Sequence, residues 1–190
     1  MSRGRLEAFS DGVIAILITI MVLELRIPHG ADWRALEPLL PVFLAYVLSF
    51  VFLGIYWVNH HHLLHTCDRV NGAIMWANIH LLFWLSLIPF GTGWMGENHN
   101  APLPTAFYGA ILLLAGLAYV ILTRTIIASQ GDQSLLKRAV GYDRKGWISL
   151  VLCGLAIGFA FIQQWISDGL YVTVALMWLI PDRRIEAALE

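Results

Sequence analysis

Charged side chains are scarce. Asp, Glu, Lys and Arg make up 13% of the 190 residues, about half the share found in soluble domains. They are missing altogether from four long runs, Pro38–Cys67, Val70–Gly96, Asn98–Thr123 and Gly146–Ser167, which excludes an ordinary water-soluble domain. Cysteine occurs twice, at Cys67 and Cys153, so there is no CxxC pair and no disulfide framework. A formal net charge of −1 offers no basic surface for nucleic acid. Gly-rich phosphate loops and Ser-His-Asp patterns are absent too. The chain holds one histidine cluster plus scattered His29, His80 and His99, where a membrane di-iron desaturase would need several clusters. These absences argue against an enzyme.

Apolar helix fills the chain instead. The expected fold class is an all-α membrane protein, one domain over residues 1–190 with six transmembrane spans. Span 1 covers about Arg5–Arg26, span 2 Leu39–Thr66, span 3 Gly72–Trp94 and span 4 Thr105–Ser129. The last apolar region, Gly146–Pro181, would be about 54 Å long as one helix. It is therefore expected to form a hairpin, spans 5 and 6, broken near "QQWISDG" at 163–169. Glu24 sits where a signal peptide would be processed, so span 1 is expected to be retained.

Orientation follows from the placement of Lys and Arg. Ten lie on the side of the termini: Arg3, Arg5, Arg69, Arg124, Lys137, Arg138, Arg144, Lys145, Arg183 and Arg184. Only Arg26 and Arg34 lie on the other. Both termini are expected in the cytoplasm.

Span 1 is unusual. Between Asp11 and Glu24 stand only twelve uncharged residues, roughly 18 Å of helix against a hydrocarbon core of roughly 30 Å. Carboxylates at such depth face a bundle interior or water rather than lipid. At 100° per residue, Phe9, Gly12, Thr19, Leu23 and Ile27 fall within about 60° of Ile16, forming one stripe. Asp11 lies opposite this stripe and Glu24 on its flank. Ordinary packing accounts for such a stripe, and so does the lining of a pore.

The stretch "RLEAFSDG" resembles the R-x-x-x-F-S-D signature of the transmembrane protein 175 family, matched here by Arg5, Phe9, Ser10 and Asp11. The resemblance covers the whole chain in layout and points to the bacterial single-repeat branch of these potassium channels. It implies a homotetramer in the bacterial inner membrane, with potassium as the permeant ion and no resident metal or cofactor. Four copies of span 1 would line the pore, with constricting layers at Ile16, Thr19 and Leu23. No TVGYG-like segment occurs in the chain, so selection would not use a carbonyl filter of that kind. Glu24, next to the Leu23 layer, would either place charge at the pore mouth or pair with Arg26 or Arg34.

The polar cluster "NHHHLLH" at 59–65 leaves three readings open. His61 and His65 share a helical face at i, i+4, which suits zinc or haem with His80 as a further ligand. In a second reading, Asp11 accepts hydrogen bonds from a span 2 histidine or from Asn78, tying the spans together at the signature. The third is a polar helix end at the membrane surface. A small transporter or a bis-histidine haem protein is the alternative function. "GLAIG", Gly154–Gly158, is expected to let span 5 approach a neighbour closely. Trp33, Trp57, Trp94 and Trp147 fall near expected membrane interfaces.

Overall fold

A computed structural model describes residues 2–99, 101–131, 136 and 143–179. Among them every regular element is helical. The helices are α1 (Arg3–Met21), α2 (Leu40–His65), α3 (Gly72–Ser86), α4 (Ile88–Glu97), α5 (Pro102–Gln130), α6 (Arg144–Phe159) and α7 (Gln164–Leu179). Lys137, Arg138, Pro181, Arg183 and Arg184, used above for orientation and for the end of span 6, lie outside the described residues.

Among the described residues, four helical segments are long and apolar enough to cross a membrane: Arg3–Glu24, Trp33–His65, Gly72–Glu97 and Pro102–Gln130. The chain is a multi-pass membrane protein. Span 3 consists of two helices, because the chain turns at Leu87 and restarts with Pro89 in the first turn of α4. Proline supplies no N–H and disfavours helical geometry in the residue before it. Span 1 stops being α-helical at Met21 and continues as one 3-10 turn, Val22–Glu24, short of the Arg26 expected. The terminal hairpin breaks at 160–163, a few residues ahead of the expected site. Ser167 closes that hairpin by donating its hydroxyl to the Ala156 carbonyl at 2.7 Å.

One side of α1 packs on α2, α3 and α4, while α5 lies behind α3 and α4 and carries α6. The buried centre combines Leu6, Ile14, Leu17 and Met21 of α1 with Leu53 and Leu63 of α2, Leu81 and Leu85 of α3, and Ala115 and Leu122 of α5. Lipid tails are as apolar as these side chains, so close packing and interhelical hydrogen bonds hold the helices together. Gly109 shows the close packing: a Cβ there would overlap the Tyr171 hydroxyl, which donates to the Thr105 carbonyl at 3.0 Å. Gly154 and Gly158 do not act in this way. A Cβ at either would meet nothing within 4 Å, so this G-x-x-x-G faces out of the protomer.

Candidate functional site

The two faces of α1 differ sharply. Leu6, Ser10, Ile14, Leu17 and Met21, spaced three and four apart, are buried against α2–α4. Phe9, Gly12, Ile16 and Thr19 lie on the exposed side, and Leu23 in the 3-10 turn and Ile27 beyond the helix are exposed too, with Ile16 59% and Leu23 79% accessible. The apolar stripe is thus uncovered within one chain. Arg5 continues it toward the N-terminus and is also exposed. The Thr19 hydroxyl directs its hydrogen at its own helix, toward the carbonyls of Ala15 at 3.0 Å and Ile16 at 2.9 Å. Its oxygen lone pairs remain available to an outside donor or cation.

Besides Arg3, which donates to the His65 carbonyl at 3.1 Å, three side chains anchor the N-terminal half of α1. Ser10 meets α3, where Asn78 Nδ2 donates to Ser10 Oγ at 2.9 Å and Asn78 Oδ1 lies 2.6 Å from His60 Nε2. Ser10, Asn78 and His60 are all fully buried. Asp11 meets α2, accepting from the Trp57 indole N–H at 3.0 Å. Glu7 also meets α2, its Oε1 lying 2.7 Å from His61 Nδ1 and 3.7 Å from His65 Nε2.

The polar partners therefore differ from those expected. Trp57, rather than a histidine or Asn78, bonds to Asp11, and Ser10 is the signature residue that reaches Asn78. The wheel gives a side chain's direction, and an indole reaching from the next helix fills that direction before a ring one turn further on. His60 lies in the expected histidine cluster but meets Asn78 instead of Asp11, and Glu7 has no counterpart among the expected site residues. A signal for Glu7 does exist: it stands four residues before Asp11 and three before Ser10, beside the buried Leu6. His80 is exposed and accepts from Trp84 Nε1 at 2.9 Å on its own helix, so it does not join His61 and His65.

At the far end of α1, Arg26 bridges to Glu97 of α4 at 2.6 Å. Glu24 rests its carboxylate on Gly93, with Oε2 3.3 Å from where a Cβ would sit. Both glutamates line a groove of about 780 Å³ with Arg26, Pro38 and His99.

Residues 5–89, from the signature Arg5 through α3, match the family model "Endosomal/lysosomal potassium channel TMEM175". A potassium channel of Chryseobacterium sp. (strain P1-3) is 54% identical over 190 residues, covering 100% of this chain and 99% of the relative. The chain belongs to the TMEM175 family. Human endosomal/lysosomal proton channel TMEM175 is 39% identical over 101 residues, covering 47% of this chain and 20% of the human protein. The crystal structure of a lysosomal potassium-selective channel TMEM175 homolog from Chamaesiphon minutus superposes with a TM-score of 0.80 at 28% identity. That match covers 95% of this chain and 97% of the other. The TMEM175 family is one of channels, which sets aside the enzyme class. Both the signature and the three anchoring positions on α1 fall inside the matched segment.

Proposed function

We propose that the chain forms a potassium channel in which four copies, each a single domain over residues 1–190, surround a pore lined by α1. The carrying observation is the uncovered apolar face of α1, on a span with Asp11 midway along the helix and Glu24 in the 3-10 turn that follows it. Two carboxylates make that helix a poor lipid-facing span, and a central position among identical copies resolves the conflict. Ile16 and Leu23 then form rings that resist wetting, and Thr19 between them is the hydroxyl ring an ion meets. Those three layers constrict the pore, and no TVGYG filter takes part. Ser10, through Asn78, and Asp11, through Trp57, act as structural anchors, while Arg5 and Phe9 stay on the exposed face. Glu24 places negative charge at the pore mouth. The termini lie on the cytoplasmic side of a bacterial inner membrane, as the Lys and Arg bias favours.

Potassium is the favoured ion because the Chryseobacterium and Chamaesiphon relatives are named potassium channels. The human relative is named a proton channel, so the test must separate the two ions. Purified protein in a planar bilayer should reverse near the potassium potential, about 59 mV for a tenfold potassium gradient at equal pH. A reversal potential that ignores potassium and follows a pH gradient would overturn the assignment of the ion.

A further inference from the structure

We infer that Glu7 of α1 with His61 and His65 of α2 is a site for a divalent transition metal ion of the zinc class, clasping α1 to α2. The ligand atoms of these three side chains all lie within 4.8 Å of one another. His61 and His65 stand one helical turn apart with ring centroids 4.5 Å apart, and Glu7 reaches them from the neighbouring helix. Zinc bound at 2.0–2.1 Å in tetrahedral geometry holds its ligand atoms about 3.3 Å apart. The Glu7–His65 separation of 3.7 Å and the Glu7–His61 separation of 2.7 Å bracket that value. Seating the ion would take imidazole rotations that bring the His61 and His65 ligand atoms, within 4.8 Å of each other, to that spacing.

The chemistry of the donor set agrees. Two neutral imidazoles and one carboxylate suit zinc, cobalt or nickel and are poor ligands for potassium, calcium or magnesium. Glu7 supplies the carboxylate, and the ion would take the place of its present contact with His61 Nδ1. Arg3 stands close by, donating to the His65 carbonyl at 3.1 Å. It does so through the backbone, leaving the imidazole uncommitted. Glu7 is 17% exposed and the two histidines about 40% exposed, so an ion has a path from water and a fourth position for a water ligand. His62 is the internal control. It neighbours His61 in the chain and touches its ring edge, with centroids 5.9 Å apart, yet it lies outside the three-ligand cluster.

Metal binding stands independently of the pore assignment. If α1 lines the pore, the ion also ties the pore helix to α2, and this consequence rests on that reading.

Titration of zinc chloride into the full-length protein in detergent should reveal one ion per chain. Glu7→Gln, His61→Gln and His65→Gln should each weaken binding by more than the roughly tenfold that an outer-shell partner is worth, and His62→Gln should leave it unchanged. Zinc should raise the unfolding temperature of the natural chain and not that of Glu7→Gln. Cobalt added to the natural chain should give the visible bands of a four-coordinate ion, a readout that needs no variant to fold. Absence of saturable zinc binding, or six-coordinate cobalt bands, would overturn the site. Equal weakening by His62→Gln, or binding that Glu7→Gln leaves intact, would assign the metal to the histidine tract alone and overturn the clasp. Potassium current recorded with a chelator present reports on the channel separately.

Discussion

The Trp57 indole donates to Asp11 Oδ1 across 3.0 Å, joining α1 to α2 on the side away from the exposed Ile16 and Leu23. The donor is neutral, so the contact orients the carboxylate without cancelling its charge. An anion held by a single directional bond fixes the rotation of α1 about its own axis, and with it the direction of the apolar stripe.

Removing either partner should loosen that rotation. Asp11→Ala and Trp57→Phe should each cost about 1.5–3 kcal/mol, the range for a hydrogen bond to a charged group. The double variant should cost clearly less than their sum. Thermal unfolding of the detergent-solubilised protein measures this cycle. Additive costs would mean that the bond contributes nothing of its own.

Asn78 serves two partners at once, Ser10 on α1 and His60 on α2. Asn78→Leu keeps the volume and removes both bonds in a buried setting. Interhelical hydrogen bonds in membranes are worth about 0.6 kcal/mol on average and up to about 1.7. The variant should therefore lose about 1–3 kcal/mol of stability, read as a lower unfolding temperature. Ser10→Ala, which removes one bond, should lose roughly half as much.

Ile16 is the apolar ring before Thr19 in the proposed pore. Ile16→Asn should ease wetting there, raising single-channel conductance and reducing the preference for potassium over sodium. Thr19→Val should reduce that preference while keeping the ring's size. Single-channel recording under bi-ionic conditions reads both effects.

Glu24 has its charge free of Arg26, which is committed to Glu97. Four such charges near a pore mouth would concentrate cations. Glu24→Gln should lower the current carried into the pore from that side at low salt. The loss should shrink at 1 M salt, where the screening length is about 3 Å. An equal loss at both salt concentrations would point to altered mouth geometry instead of charge. The exposed Arg26–Glu97 pair itself should matter little, since surface pairs contribute about 0–1 kcal/mol.

Span 1 was the most legible part of the chain. Charge at both ends and a 3.6-residue period separate Ile16, Thr19 and Leu23 from Ile14, Leu17 and Met21 without reference to any other helix. The break at Leu87 was harder to see, because Val70–Gly96 is uniformly uncharged and Pro89 is compatible with either a kink or a restart. The hairpin turn was displaced for a similar reason: Ser167 and Asp168 read as loop residues, yet Ser167 satisfies its hydroxyl on α6 from within α7. Partner identities were the least legible. That Asp11 meets Trp57, and Glu7 meets His61, depends on the relative height of two helices. No periodicity within one of them encodes that height.

Cysteine accessibility along α1 tests the central claim most directly. Cys67 and Cys153 are buried, so a water-soluble thiol reagent should leave the natural channel's current unaffected. Ile16→Cys, Thr19→Cys and Leu23→Cys channels should lose current on treatment. Ile14→Cys and Leu17→Cys, on the face buried against α2–α4, should keep it. Block confined to positions 14 and 17, or no block at 16, 19 and 23 in channels that conduct, would contradict a pore lined by this face of α1.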